Sequence, residues 1–151
     1  MQIVKMVMNE KYILLKKAYK EITQNALLQY PNEACGLLSS KWSDHVVENA
    51  LCAGNRADKE NKGSYYKIDP IELFEMEQDI EKEGYEVIGF FHSHPDKQAV
   101  LSEEDYKNMI PGMVYIIASI TKNIVHELRG YVKNMPEGYV SEIRIEEESL
   151  L

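Results

Sequence analysis

Residues 86–105 read EVIGFFHSHPDKQAVLSEED, and this stretch decides both the fold and the chemistry that the sequence predicts. It opens as an apolar run that ends in polar residues, which is typical of a central strand whose carboxyl end emerges at a cleft. Residues two apart on a strand point to the same side, so His92 and His94 can present two imidazoles to one point. With the carboxylate of Asp105 they make a good zinc site, which leaves a fourth position for water as in catalytic zinc sites.

Each part of this pattern also has a simpler interpretation. Ser102-x-x-Asp105 is a helix N-terminal signature, in which Ser102 caps the helix and acidic residues in the first turn interact favourably with the helix dipole. A His-x-His pair at a strand end is, on its own, more often a surface or hydrogen-bonded pair than a metal site. The interpretations are compatible, because capping fixes the direction of the Asp105 carboxylate. His45 and His126 have no comparable context and are predicted to be surface residues.

Two longer helices are predicted on either side of the first strands. One runs from about residue 10 to residue 30, with Asn9 as its N-cap, apolar residues at helical spacing and Pro31 as its stop. The other begins at Asp69-Pro70 and ends before Gly84. Its inward face is predicted to use Leu73, Phe74, Met76 and Ile80. SEEDYKNM predicts a third, short helix.

The other segments predict strands and loops. Two short strands, joined near Ser43-Asp44, are predicted for GLLSSKW and HVVENALCA. Later strands are predicted for MVYIIASI, IVHELRGYV and SEIRIEEE. The polar residues 54–66 are expected to form an exposed loop, the most mobile part of the chain, and EEESLL a frayed tail. Helices interleaved with strands predict an α/β (α+β) fold, a mixed β-sheet flanked by helices, in a single domain of residues 1–151.

Composition narrows the classes of function. The 151 residues are 44% hydrophobic and carry a formal net charge of −8, with no Lys/Arg cluster, which opposes binding to nucleic-acid phosphates. No apolar run approaches the roughly 18–20 residues that cross a bilayer, and the N-terminal apolar stretch is too short and too charged for a secretory signal. A cytoplasmic protein without nucleic-acid or membrane partners is expected.

The two cysteines, Cys35 and Cys52, fit a reducing compartment better than a disulfide. Cys35 lies in the apolar run EACGLL, where a buried free thiol is the simpler interpretation. A nucleophilic Cys35 would need a His/Asn relay, and the histidines have a better use in the metal motif.

Six residues separate HSHP from SEED, and a glutamate lies far upstream in PNEACGLL. This pattern resembles that of the JAMM (MPN+) metalloproteases. The resemblance is closest to the short bacterial and archaeal members, which include peptidases acting on ubiquitin-like sulfur carriers. It also covers KIDPIELF, EVIGFFHSHP and GMVYIIAS in the order of the family. It implies the JAMM/MPN (cytidine-deaminase-like) three-layer architecture.

The resemblance also implies a role for each motif residue. His92, His94 and Asp105 would be the ligands of one Zn²⁺ per chain, Glu33 the general base on the water, and Ser102 the residue that helps to stabilise the oxyanion. Without the metal motif, Glu33 would be interpreted as an ordinary exposed glutamate after a helix.

The activity implied is hydrolysis of the peptide or isopeptide bond after the C-terminal Gly-Gly tail of a ubiquitin-like or sulfur-carrier protein. The chain has no room for the long insertions with which eukaryotic deubiquitinases grip polyubiquitin. One alternative is a non-catalytic MPN-type scaffold that binds partners, although a scaffold has no need of five chemically matched positions. Another is a zinc hydrolase of a different bond, but the H-x-E and P-C-x-x-C patterns of cytidine deaminases are absent.

Overall fold

An eight-stranded mixed sheet forms the centre of the protein. The computed structural model describes residues 4–41, 45–135 and 138–148, without the side chains of residues 4–9. In chain order the elements are β1 (Val4–Leu14), α1 (Lys16–Gln29), β2 (Cys35–Ser40), β3 (Val46–Val47), β4 (Asn49–Ala53), α2 (Pro70–Lys82), β5 (Glu86–Pro95), α3 (Glu103–Asn108), β6 (Val114–Thr121), β7 (Ile124–Lys133) and β8 (Val140–Glu147). The strand order is β3-β1-β8-β7-β6-β5-β2-β4.

This sheet contains both parallel and antiparallel strand pairs. β5 runs parallel to β6 and antiparallel to β2, and β1 runs parallel to both β3 and β8. Strands that are covered on both faces read as continuous apolar runs rather than as alternating patterns. β6 is buried from Val114 to Ile120, and β5 is buried from Ile88 to Pro95, which places the carboxyl end of β5 deep in the protein.

The sheet lies between two helical layers, each with its own apolar cluster. Phe91 packs in the cluster of the first face with Ala18, Ile22 and Ala26 of α1. Phe90 packs in the cluster of the other face with Met76 and Ile80 of α2. Because side chains alternate along a strand, His92 and His94 lie on the α2 face with Phe90. The predicted mixed sheet with flanking helices is therefore confirmed.

The prediction of a helix from about residue 10 was wrong, because residues 4–14 form β1. Tyr12 and Leu14 are buried while Lys11 is exposed, an alternation of period two that favours a strand. Asn9 therefore lies within a strand and is not the N-cap. α1 begins at Lys16, and its first-turn amide is capped by a distant carboxylate: Lys16 N donates to Glu148 Oε1 at 2.9 Å.

The second helix was predicted well, except for one residue of its inward face. α2 begins at Pro70, directly after Asp69 at the N-cap position, and ends before Gly84, whose φ of 85° suits the end of a helix. Met76 and Ile80 are buried, but Phe74 is 62% exposed and faces away from the sheet. None of the described helices is long and apolar enough to span a bilayer.

The remaining element predictions are confirmed within one or two residues, apart from a break at Glu48 that divides the second strand into β3 and β4. The junction predicted near residues 43–44 lies outside the described residues. The tail prediction covers residues 146–151, of which 149–151 are not described. Glu148 itself is not frayed, because its amide donates to Leu14 O at 2.9 Å and its carboxylate caps α1.

Candidate metal centre

His92 and His94 converge at the carboxyl end of β5. Both side chains are buried, and their Nε2 atoms lie 3.1 Å apart. The strand geometry that places them on one face thus brings their outer ring nitrogens to one point, as the sequence predicts.

Asp105 completes this group from the first turn of α3. Its Oδ1 lies 3.1 Å from His92 Nε2, and its Oδ2 lies 3.1 Å from His94 Nε2. A reciprocal capping box fixes the turn, since Asp105 N donates to Ser102 Oγ at 3.0 Å and Ser102 N donates to Asp105 Oδ2 at 2.9 Å. The same carboxylate therefore caps α3 and lies beside both histidines.

The chemistry of this donor set fits a divalent cation. The Nδ1–H of His94 is assigned as donor to the carbonyl of Gln98 at 2.9 Å, which leaves a lone pair on Nε2 facing the carboxylate of Asp105. Two acceptors at this distance need a proton or a metal ion between them. Ligands of tetrahedral zinc, at about 2.0–2.1 Å from the metal, lie about 3.3 Å from one another, close to the 3.1 Å separations found here.

The pKa values of these residues show an environment that attracts positive charge. Burial would raise the pKa of Asp105, but hydrogen bonds with His92 and His94 hold that pKa far below its usual range. Burial lowers the pKa of His94, whereas its hydrogen bonds with Asp105 and Gln98 raise it, and the net shift is upward. A field that stabilises a protonated imidazole also stabilises a metal cation at the same position.

Glu33 is the buried carboxylate beside this group. It is 3% exposed, and one ligand atom each from Glu33, His92 and His94 lie within 4.8 Å of one another. Burial raises the pKa of Glu33, and the nearby histidines oppose that rise. Glu33 is therefore not the exposed glutamate of the simpler interpretation, but a buried carboxylate that lies within 4.8 Å of a ring nitrogen of each histidine.

Comparison with known proteins decides the family. The sequence profile of the prokaryotic homologs of the JAB domain matches residues 15–129. The chain belongs to this JAMM/MPN family. Desampylase from Haloferax volcanii is 34% identical over 90 residues, which are 59% of this chain and 63% of desampylase. The human deubiquitinase MYSM1 is 28% identical over 109 residues, which are 71% of this chain and 13% of MYSM1.

Solved structures share this fold. A protein from Desulfitobacterium hafniense is 30% identical with a TM-score of 0.76, over 92% of this chain and 94% of that one. A JAB1/MPN domain protein from Archaeoglobus fulgidus is 20% identical with a TM-score of 0.55, over 89% and 97% of the two chains, which shows a shared fold. The chain spans less than two thirds of desampylase and a small part of MYSM1.

A cavity of about 440 Å³ opens beside the five motif residues, which are Glu33, His92, His94, Ser102 and Asp105. Its lining comprises Glu33, Ser64, His94, Asp96, Lys97, Gln98, Val100 and Ser102. A larger cavity of about 820 Å³ lies between α1 and the end of β8, and no histidine or cysteine lines it. The smaller cavity is the better candidate for substrate, because three of the five motif residues line it.

Three residues that contribute to this site were not among the candidates predicted from the sequence. The ring of Tyr66 stacks on that of His92, with centroids 4.7 Å apart and an angle of 29°. Ser93, between the two histidines, accepts a hydrogen bond from Ala34 N at 2.8 Å and donates its own amide to Ala34 O at 3.0 Å. Asn55 lies in the segment after β4 and bonds to the backbone of Glu33. The sequence shows Tyr66 only as an aromatic residue before a helix, and Ser93 and Asn55 as ordinary polar residues.

The remaining titratable residues singled out in the sequence lie outside the JAMM-type site. Cys35 is a buried free thiol, as predicted, and burial raises its pKa to about 12, which opposes a nucleophilic role. Cys52 is also free. His45 and His126 are exposed, as predicted.

Proposed function

We propose that this chain is a zinc-dependent peptidase or isopeptidase that hydrolyses the bond after the C-terminal tail of a ubiquitin-like protein. The observation that carries this proposal is the convergence of His92, His94 and Asp105 at mutual distances of 3.1 Å with the buried carboxylate of Glu33 beside them. The desampylase and deubiquitinase relatives support a ubiquitin-like substrate.

The two histidines and Asp105 would hold the zinc ion. A zinc ion held there would lower the pKa of a water molecule to about 7 and would polarise the scissile carbonyl. A scaffold that only binds partners would have no use for a buried cluster of two imidazoles and two carboxylates, which is costly to desolvate.

Glu33 would act as general base and then as general acid. Its carboxylate takes a proton as the water oxygen bonds to the carbonyl carbon, and it gives that proton to the nitrogen as the carbon–nitrogen bond breaks. The products are a carboxylic acid and an amine, so the atoms balance. The raised pKa of Glu33 suits both transfers, because it brings the carboxyl group nearer to neutral pH.

Ser102 would donate to the oxygen that gains negative charge. Its Oγ already accepts a hydrogen bond from Asp105 N, so its own proton remains available for the substrate. Ser102 is exposed at the lining of the cavity, where a substrate carbonyl can reach it.

The finer proposal is that the substrate is a sulfur-carrier protein ending in Gly-Gly, and that the group removed is a C-terminal residue such as cysteine or a short extension. A cavity of about 440 Å³ lies in the lower part of the usual range for ligand pockets, roughly 300–1,000 Å³, and suits a narrow tail with a small leaving group. Two free cysteines fit a cytoplasmic site of action.

The test offers the zinc-loaded protein a folded carrier ending in Gly-Gly-Cys and an unfolded peptide with the same last six residues, with products identified by mass spectrometry. Faster cleavage of the folded carrier supports the proposal, and Glu33→Gln serves as the inactive control. Equal cleavage of both substrates would contradict the carrier hypothesis, and cleavage of neither would contradict the peptidase.

A further inference from the structure

The side chain of Asn55 uses its full hydrogen-bonding capacity on the backbone around the site. Its Nδ2 donates to Glu33 O at 3.0 Å and to Tyr65 O at 3.1 Å. Its Oδ1 accepts from Ala57 N at 3.0 Å and from Lys67 N at 3.2 Å. An amide has two donors and one oxygen with two lone pairs, so every position is filled, and the four partners together fix its orientation.

The first consequence concerns Glu33. This residue lies between the end of α1 and the start of β2, where no helix or strand fixes its backbone. The segment after β4 holds it on both sides, since Glu33 N donates to Lys62 O at 2.6 Å and Glu33 O accepts from Asn55. The position of the carboxylate therefore depends on that segment.

The second consequence concerns His92. The bonds to Tyr65 O and Lys67 N lie on either side of Tyr66, whose ring stacks on His92. Histidines that bind metals usually donate their second ring N–H to an acceptor, which fixes the ring. Within the described residues, Nδ1 of His92 is buried without a hydrogen-bond partner. The stacked ring of Tyr66 thus helps to orient this imidazole, in addition to the contacts of its Nε2 with Asp105 and His94.

We propose that Asn55 is a positioning residue for both halves of the site, and that it acts on the general base through the Glu33 backbone and on the metal ligand through Tyr66. Only the part of this inference that concerns catalysis rests on the proposed function. The segment of residues 54–66, predicted from the sequence to be a mobile loop, is in this view held in place as one wall of the cleft.

The test compares Asn55→Ala and Asn55→Asp with the unchanged chain. Asn55→Asp can still accept hydrogen bonds from the amides of Ala57 and Lys67, but it can no longer donate to Glu33 O and Tyr65 O. This variant therefore isolates the effect of losing the two donated bonds. Ile143→Val, a small truncation in the buried part of β8, is the control for a loss of stability away from the site.

The expected result is a fall in kcat of about 10²-fold with little change in KM for Asn55→Ala, since a misplacement of about 1 Å can cost that much. Zinc affinity, measured by competition with a chromogenic chelator, should fall about 10–100-fold. Tyr66→Leu should lower zinc affinity similarly. Hydrogen exchange at the Glu33 amide should accelerate in both Asn55 variants and stay unchanged in Ile143→Val.

Unchanged zinc affinity and unchanged exchange at Glu33 in a folded Asn55→Asp chain would overturn the inference. If Asn55→Ala does not fold, the same three measurements on Asn55→Asp decide. If the unchanged chain cleaves no substrate, the proposed function fails, and chelator competition and hydrogen exchange still decide whether Asn55 positions the site.

Discussion

The hydroxyl of Tyr30 donates to the carboxylate of Asp96, lying 2.8 Å from Oδ2 and 3.0 Å from Oδ1. Tyr30 is the C-cap residue of α1, and Asp96 follows the end of β5 with a positive φ of 58°. The bond therefore joins the segment that leads to Glu33 with the turn that follows His94. Two parts of the site that are distant in sequence are tied at its edge.

This bond predicts a change in stability at alkaline pH. The hydrogen bond with Asp96 is the main cause that raises the pKa of Tyr30, and desolvation and the charge of Asp96 add to it. A group with a raised folded-state pKa contributes stability that is present below its unfolded pKa, about 10, and lost as pH rises through the folded value. Tyr30→Phe removes this contribution, so its melting temperature should fall less steeply than that of the unchanged chain between about pH 9.5 and 11. Parallel curves throughout that range would contradict the prediction.

Zinc content tests the donor set directly. Protein purified without a tag or chelator should hold close to one zinc per chain by elemental analysis, because three donors converge at 3.1 Å. His94→Ala should lose most of the metal, and His126→Ala, at an exposed residue outside the site, should keep it. Full zinc retention in the double variant His92→Ala/His94→Ala would refute the site.

Glu33→Gln should keep both the fold and the zinc and lose turnover. Removing a general base typically costs about 10²–10⁴ in rate, while the predicted ligands are unchanged. Glu103→Gln and Glu104→Gln are suitable controls, since both residues are exposed on α3. Activity near normal in Glu33→Gln would move the base elsewhere, with those two glutamates as the next candidates.

Ser102 caps α3, and substitution can separate this role from its proposed role as an oxyanion donor. Ser102→Ala should lower stability by about 1 kcal/mol through loss of the N-cap, and should lower the rate by about 10²–10³ through loss of an oxyanion donor. Ser102→Gly should cost only a few tenths of a kcal/mol, because glycine is tolerated at N-caps, yet should lose as much rate. A Ser102→Gly variant with normal activity and zinc content would show that Ser102 is only a cap.

Gly36 occupies a position in β2 that has no space for a side chain. It pairs with Phe91 across β2 and β5, and a Cβ at this position would collide with the carbonyl oxygen of Leu51 and with the Phe91 ring. Gly36→Ala should therefore destabilise the protein by about 1–3 kcal/mol, as expected for overpacking. Gly54→Ala is the matched control, since its Cβ would meet only the flexible Glu72 carboxylate at 3.4 Å. Equal denaturation midpoints of the two variants would show that the sheet adjusts at Gly36.

The parts of the fold that local rules govern could be predicted from the sequence. β5 is an apolar run that ends in polar residues, and α2 is bounded by Asp69-Pro70 and Gly84. The convergence of His92, His94 and Asp105 also follows from local geometry, because strand alternation and helix capping fix the directions of these side chains.

The parts that depend on distant partners could not be predicted. β1 pairs in parallel with β8, and its short alternating pattern was masked by the helical pattern of α1 that follows it. Phe74 has helical spacing, but only the packed structure shows which residues of α2 meet the sheet. The bonds of Asn55 join three backbone segments and follow no sequence period, so no motif contains them.

The parallel pairing of β1 with β8 has a consequence for how the chain folds as it is synthesised. Val4 to Leu14 leave the ribosome well before Val140 to Glu147, so among the described strands β1 can pair only with the two residues of β3 until β8 is synthesised. Contacts of such high sequence separation form slowly, and an unpaired strand edge promotes aggregation. Nascent chains halted before residue 140 should therefore depend on chaperones that bind β1, and this dependence should end when β8 is released.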